Sequence, residues 1–526
     1  MRLTEFLDKG ASLHPGDAPC LTMAGQTRTY ADVQRLSWSV GRALARSGVR
    51  PGDKVAVLSG NDPVAFGCVF GISRAGAVWC PVNPRNEAAE NRELLGLFDC
   101  RCLIFQGAFA PLVATIAPDL PQLSTLVCLD GADAGAPGAR VAGAVGFGEW
   151  LDGVGDEPWQ ADPVDDVVII AGTGGTTGKP KGAMLSHANL SAACSIYKAW
   201  FDPQRISEPG ADKIICVLPL FHIFALTNVL LRGLQEGNEL LLRARFDVAT
   251  TLADIEVKRA SVFPGVPTMW IALANTPDID QRDLTSLRTV ASGGAALPVE
   301  VAERFQKLTG QRLGGGWGMT ETAPAGTAMP RDWTGKAGSV GLPLPGIMMD
   351  VVALDDPRRV LAPGTKGEIR IKGPNVTRGY WNAPAETAAA FVDGYLLTGD
   401  IGFMDDDGYF YLVDRKKDMI ISGGFNVYPR TIEEAIYEHP AVAEAIVIGV
   451  SDAYRGEAAK AFVQLKAGAV SFSLEELRAF LADKIGRHEM PAHLEFRDAL
   501  PKTAVGKLSK RELVDEERRK TRAAAE

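Results

Sequence analysis

The stretch Ile169-Ile170-Ala171-Gly172-Thr173-Gly174-Gly175-Thr176-Thr177-Gly178-Lys179-Pro180-Lys181-Gly182 decides how this chain is read. The apolar run 167–171 predicts a buried strand, which breaks into a loop of glycines, threonines and lysines. Glycines let the backbone approach a bulky anion. Hydroxyls and bare N–H groups donate to phosphate oxygens, and lysines add charge. The loop is not a Walker A sequence, because Pro180 follows Lys179 where a magnesium-binding Ser or Thr is required. Ser186 is placed to cap a helix over 188–200.

Outward from this loop, strands and helices alternate in both directions. Towards the N-terminus the pattern predicts a helix over 30–48, a strand over 54–58, a helix over 63–75 and strands at 79–81, 103–105 and 126–129. The Gly- and Ala-rich segment 131–155 reads as a surface connection. Towards the C-terminus come strands at 214–218, 239–242, 261–263 and 289–291, separated by helices over 225–236, 248–258 and 266–274. Such alternation predicts parallel sheets covered on both faces. The last strand runs into Ser292-Gly293-Gly294-Ala295, and a further glycine turn follows at Gly314-Gly315-Gly316-Trp317-Gly318-Met319-Thr320-Glu321. Ligands gather at the carboxyl ends of parallel strands, so the three turns are candidates for one crevice.

From 338 to 414 the pattern shifts to short strands and turns, for example 367–372 and 408–413. Beyond the charged run Asp414-Arg415-Lys416-Lys417-Asp418, a helix over 431–438, strands at 442–449 and 459–465 and a helix over 474–485 predict a separate small α+β domain. The fold class is α/β. A large N-terminal domain, 1–414, comprises two stacked α/β subdomains and a small β-barrel-like subdomain, and a small mobile α+β domain spans 415–526.

The 526 residues carry 46% hydrophobic and 23% charged side chains, the composition of a globular chain of several units. A net charge of -9 argues against nucleic acid as a partner, although local clusters still serve small anions. The eight cysteines show no metal-ligand spacing, and residues 1–10 lack the apolar core of a signal peptide. No apolar stretch is long enough to span a bilayer. The expected location is the cytoplasm, at most with peripheral membrane contact, as monomer or homodimer.

The loop at 173–182, the turns at 293–294 and 315–318 and the strings VDRKKDMIISGGFNVYP, LPLFHIFALT and PKTAVGKLSKREL together resemble the adenylate-forming superfamily. Within it they look most like bacterial medium- and long-chain fatty-acyl-CoA ligases. The resemblance implies an N-terminal AMP-binding domain, a mobile C-terminal lid and a two-step reaction. ATP and a carboxylic acid give an acyl-adenylate and pyrophosphate, and the thiol of coenzyme A then displaces AMP. A carboxylate is a weak nucleophile facing an anionic phosphate, so such a site needs Mg2+, cations and exclusion of water.

Position by position, the resemblance assigns Thr173, Gly174, Gly175, Thr176, Thr177, Gly178 and Lys179 to the phosphate loop. Gly172 stands where the family usually has Tyr or Phe. Gly293, Gly294 and Ala295 match the adenine-side turn, and Trp317, with Gly318 and Met319, the aromatic that stacks on adenine; the family's usual residue there is Tyr. Thr320 would meet the α-phosphate, and Glu321, with Thr176, would hold magnesium. Asp400 and Arg415 match the ribose-binding pair, Lys507 the lysine bridging carboxylate and α-phosphate, and Lys417 the hinge. Gly423, Gly424 and Phe425 match the pantetheine-lining segment of the CoA site. Phe221, His222, Val266 and Gly316 fall along the acyl pocket, with Phe224, Met269 and Trp270 as further lining or plain core. The catalytic set is thus Lys507, Thr320, Glu321 and His222.

The alternative substrates on the same frame are aryl, cinnamic or sterol-side-chain acids. A non-catalytic nucleotide sensor is the rival of another class, and Thr176, Glu321, Asp400, Arg415 and Lys507 argue against it. If Lys417 is the hinge, Lys417→Pro leaves acid-dependent pyrophosphate exchange near its starting rate and removes thioester formation, because proline fixes the backbone that must turn. Assaying both half-reactions on one preparation checks this; equal loss of the two rejects it.

Overall fold

The computed structural model describes residues 1–14, 17–130, 141–174, 180–201, 209–293, 299–330, 336, 338–452, 454–502 and 508–525. Two compact units emerge. The first comprises Met1–Ala337, Gly341–Met348 and Lys372–Phe391; the second, Gly338–Val340, Met349–Ile371 and Val392–Glu526.

The first unit holds two sheets. One has seven strands in the order Ala144–Gly146, Thr125–Cys128, Cys100–Phe105, Lys54–Leu58, Val78–Val82, Val167–Gly174 and Pro180–Ser186, parallel except for the last. The other has six strands, ordered Thr289–Ser292, Val262–Gly265, Lys213–Cys216, Glu239–Leu242, Pro19–Met23 and Gln26–Thr29. Interior parallel strands such as Lys54–Leu58 and Val78–Val82 are short apolar runs buried on both faces, as parallel sheets require.

Helix Pro63–Arg74 packs on strands of both sheets. Asp62 starts it by accepting hydrogen bonds from the Val64 and Ala65 amides at 2.8 and 3.0 Å, with Pro63 in the first turn. Gly67 and Gly71, one turn apart, face helix Tyr30–Arg46. A Cβ at either would lie 2.2 Å from Leu36 or 2.4 Å from Val40, so the two helices approach more closely than alanines allow.

Each sheet has its own core. Phe98, Phe105, Leu58 and Val82 lie under the seven-stranded sheet. Under the other, Trp270 is fully buried, tilted against Phe263 at 4.7 Å and edge-on to Phe305 at 5.0 Å. Its Nε1 donates to the Ala291 carbonyl at 3.1 Å, which makes Trp270 core. All eight cysteines are buried and unpaired, and burial pushes the Cys194 and Cys216 thiols up to about 12.

In the second unit, Gly367–Lys372, Tyr395–Met404 and Phe410–Arg415 form antiparallel neighbours. A five-stranded sheet follows, ordered Phe425–Val427, Ile420–Ser422, Gly456–Leu465 and Val442–Asp452, with His493–Phe496 beside Gly456–Leu465. Helices Pro429–Tyr437 and Leu474–Leu481 cover it through Ile432, Ile436, Leu477 and Leu481.

Three segments differ from the sequence reading. Residues 180–186 are a strand, because Gly182 opposes Gly172 directly above Phe98, a contact a Cβ would close to 2.6 Å. Residues 19–29 supply two strands antiparallel to each other, the first of which pairs with a strand far along the chain, Leu21 opposite Leu240. Within 131–155, residues 131–140 lie outside the described set, while Ala144–Gly146 and Phe147–Leu151 form a strand and a short helix. Among the described residues no helix is long and apolar enough to cross a membrane.

Asn61 joins the two sheets. It follows strand Lys54–Leu58 of one, and its Nδ2 lies 3.1 Å from the Leu218 and Arg243 carbonyls, which follow strands of the other. Its Oδ1 accepts from the Leu220 amide at 3.1 Å, and the residue is 4% exposed. Asn61→Leu leaves these backbone groups unmatched and costs about 2–3 kcal/mol. Thermal unfolding followed by near-UV circular dichroism should show a lowered transition, with far-UV content unchanged at low temperature.

Candidate active site

In the first unit the phosphate-loop hairpin is pinned at its base. Thr173 opposes Lys181 and Gly174 opposes Pro180 across the antiparallel ladder, and Thr173 Oγ1 reaches the Lys181 carbonyl at 3.5 Å. Gly175, Thr176, Thr177, Gly178 and Lys179 lie outside the described residues, as do Gly294, Ala295 and Lys507. Ser186 caps helix His187–Phe201. Its Oγ accepts from the Asn189 amide at 3.0 Å, and Asn189 Oδ1 accepts from the Ser186 amide at 3.0 Å.

The second sheet delivers the next group at its carboxyl edge. Gly265 opposes Ser292, so Val266 and Gly293 leave adjacent strands together, and the Gly293 amide donates to the Gly265 carbonyl at 3.0 Å. A Cβ on Gly293 would come to 3.2 Å from the Phe224 ring, so the bare glycine lets the backbone pass close to that aromatic. Phe221, His222 and Phe224 are half-buried on the turn before helix 225–231, which is wound as a π-helix, a form that recurs at functional sites. Val266 is buried.

Ala291 bridges to Gly314, which lays the third turn alongside. Trp317 is 8% exposed, its ring lying over Gly326, where a Cβ would come within 2.5 Å. Gly316 pairs with Ala328, and a Cβ there would sit 2.5 Å from the Thr327 carbonyl; one on Gly318 would collide with the Pro324 carbonyl. Close backbone approach fixes both glycines. Thr320–Thr322 make a single turn that ends at Ala323, a left-handed residue with φ 55°. Met319 N donates to Thr322 Oγ1 at 3.0 Å.

The Glu321 side of this turn is held by a segment that motif reading passed over, residues 374–381. Asn375 Nδ2 donates to the Thr322 and Ala325 carbonyls at 2.6 and 2.7 Å, and the Thr377 amide donates to the Glu321 carbonyl at 2.7 Å. The same segment binds the hairpin: Thr377 Oγ1 donates to the Met184 carbonyl at 2.5 Å, and the Trp381 amide to that of Gly182 at 2.8 Å. Tyr380 touches both sides. Its hydroxyl donates to Glu321 Oε1 at 3.1 Å, and the Lys181 ammonium stands 5.1 Å from its ring centroid. Burial and the Glu321 charge push the Tyr380 hydroxyl's pKa up, so it stays a donor. Glu321 is 6% exposed.

In the second unit Asp400 stands opposite Arg415 in the ladder, and Arg415 Nε meets Asp400 Oδ1 at 3.0 Å. Asp400 is 4% exposed, while the Arg415 side chain is 55% exposed. Gly399 is left-handed at φ 73°. Glu368, which the sequence reading also passed over, accepts from the Gly399 amide at 3.1 Å and from Lys416 Nζ at 2.8 Å. It is a buried carboxylate, 4% exposed, near the start of strand Gly367–Lys372. Lys417 lies in the turn closed by Met419 N to Arg415 O at 3.1 Å. Gly423 and Gly424 are both left-handed, at φ 57° and 84°, and open at Cβ; Phe425 is 60% exposed with its ring 5.3 Å from His488.

Among the described residues no cluster of three His, Cys, Asp or Glu side chains could cage a metal. A lone hard carboxylate such as Glu321 suits magnesium, which takes one or two carboxylates beside phosphate oxygens and water.

The AMP-binding enzyme family matches residues 7–381, and the AMP-binding enzyme C-terminal domain matches 431–507. A long-chain-fatty-acid–CoA ligase of Bacillus subtilis (strain 168) is 36% identical over 98% of this chain and 94% of its own length. A feruloyl-CoA synthase of an Amycolatopsis species is 37% identical over 94% of this chain and 95% of its own. The crystal structure of ATP-bound MatB from Rhodopseudomonas palustris superposes with a TM-score of 0.87 at 29% identity, covering 98% and 99% of the two chains. With the family matched over 7–381 and these relatives along its length, the chain belongs to the AMP-binding enzyme family and is an AMP-forming acid–CoA ligase.

Proposed function

We propose that this ligase activates a medium- or long-chain fatty acid, and that its site residues act as follows. Thr173, Gly174, Gly175, Thr176, Thr177, Gly178 and Lys179 hold the β- and γ-phosphates, and Gly293, Gly294, Ala295, Trp317, Gly318 and Met319 enclose adenine. Asp400 and Arg415 take the ribose hydroxyls; an acceptor-only carboxylate steadied by a guanidinium suits that task. Thr320 donates to the α-phosphate. Glu321 and Thr176 would hold magnesium, which would supply charge neutralisation on the triphosphate. Lys507 offsets the repulsion between the acid's carboxylate and the α-phosphate as a carboxylate oxygen forms a bond to phosphorus and pyrophosphate leaves. The coenzyme A thiolate then attacks the acyl carbon and AMP departs, with Gly423, Gly424 and Phe425 lining the slim arm's path.

The observation that carries the substrate reading is the half-buried aromatic set Phe221, His222 and Phe224, with Val266, beside the bare Gly293. An apolar lining next to the adenine turn fits an acyl chain whose carboxylate must reach the α-phosphate. The B. subtilis relative, named for long-chain fatty acids, agrees with it. A second reading, a hydroxycinnamic or related aryl acid, is favoured by the feruloyl-CoA synthase relative of equal identity. Eight buried, unpaired cysteines suit a reducing cytoplasm. We place the domain boundary between Asp414 and Arg415, with Lys417 as hinge, and the protein as monomer or homodimer.

CoA-dependent AMP formation with a panel of acids tests the substrate: medium- and long-chain fatty acids should give the highest kcat/KM, and a higher value for cinnamic acids would replace this reading by the second. Lys507→Ala should lower acid-dependent pyrophosphate release by about 100-fold or more, while thioester formation from synthetic acyl-adenylate stays substantial. Equal collapse of both steps, measured by product chromatography, would show that the lysine does not divide the reaction in this way.

A further inference from the structure

The Tyr380 hydroxyl donates to Glu321, and the Tyr380 ring meets the ammonium of Lys181 on strand Pro180–Ser186. Backbone hydrogen bonds on both flanks fix the ring's place. Ala183 bridges to Tyr380, the Met184 amide donates to the Gly379 carbonyl at 3.0 Å, and the Tyr380 amide donates to Thr387 Oγ1 at 3.0 Å. A single side chain therefore touches the carboxylate of one turn and the ammonium of another, 140 residues apart in sequence (321 − 181).

We propose that Tyr380 is a positioning residue for ATP binding: its hydroxyl fixes the Glu321 carboxylate in the orientation that takes the metal, and its ring seats Lys181 beside the triphosphate. The inference rests on the reading of Glu321 as magnesium's protein ligand. A neutral hydroxyl suits the task because it orients a carboxylate without cancelling the charge the cation needs. The ring suits Lys181 because an aromatic face attracts an ammonium while leaving its protons to phosphate oxygens.

Tyr380→Phe removes the hydroxyl and keeps the ring. On the full-length protein, calorimetric titration with ATP at graded magnesium should show the magnesium-dependent gain in affinity reduced about tenfold, at the low end of the effect of outer partners of metal ligands. Metal-free ATP binding, the unfolding temperature and the KM for the acid should stay as in the parent, and the magnesium midpoint of pyrophosphate release should rise by the same factor. Glu321→Gln should shift that midpoint further. A parental midpoint in Glu321→Gln would overturn the reading of Glu321 and the proposal with it; a shift there beside an unshifted Tyr380→Phe would overturn the proposal alone. Tyr380→Leu, which also removes the ring, should weaken metal-free ATP binding about threefold relative to Tyr380→Phe, as expected for one partly exposed cation–π contact. Equal metal-free affinities of these two variants would overturn the role of the ring.

Discussion

The Glu321 turn and the strand Pro180–Ser186 of the first unit lie far apart in sequence, and the hydrogen bonds of residues 374–381 hold the two in register. Thr377 contacts both through its own two donors: its amide meets the Glu321 carbonyl and its hydroxyl the Met184 carbonyl. Asn375 is fully buried and spends both Nδ2 protons on carbonyls of the Glu321 turn. A turn carrying a left-handed alanine has little intrinsic preference for its shape, so the shape must come from outside it. Buried backbone carbonyls require donors, and this segment supplies them. Removing those donors would cost the fold first and the geometry of Glu321 as a consequence.

Sheet geometry does the rest of the positioning. Parallel strands end on one edge, and Val266, Gly293 and the Gly314 turn leave the six-stranded sheet side by side because Gly265 opposes Ser292 and Ala291 opposes Gly314. Glycine is needed there for contact rather than for flexibility. At Gly293 the neighbour is the Phe224 ring, at Gly316 the Thr327 carbonyl, and at Gly318 the Pro324 carbonyl. A side chain at the last two would move backbone, and with it Trp317.

This division explains what the sequence disclosed. Strands built from apolar runs were legible, and Gly367–Lys372 and Glu239–Leu242 have the limits their residues suggest. Residues 180–186 were not, since Pro, Lys and Gly read as loop until Gly182 is seen to need its closeness to Phe98. The strand Pro19–Met23 is short, and its partner is supplied only by tertiary folding. Motif positions such as Trp317, Glu321, Asp400 and Arg415 could be named because they fall in strings that resemble the family's motifs. Tyr380 and Glu368 could not, because their meaning lies in what they touch, 59 and 31 residues away.

Glu321 and Asp400 show why burial by itself does not tell a carboxylate's task. Each is nearly closed off, at 6% and 4% exposure. Asp400 stands across a ladder from Arg415, whose guanidinium offsets its charge and leaves an acceptor well matched to neutral hydroxyls. Glu321 receives a phenolic hydroxyl, a donor that orients it and adds no positive charge of its own. At nearly equal depth the two carboxylates meet groups of different charge, a guanidinium at Asp400 and a phenolic hydroxyl at Glu321.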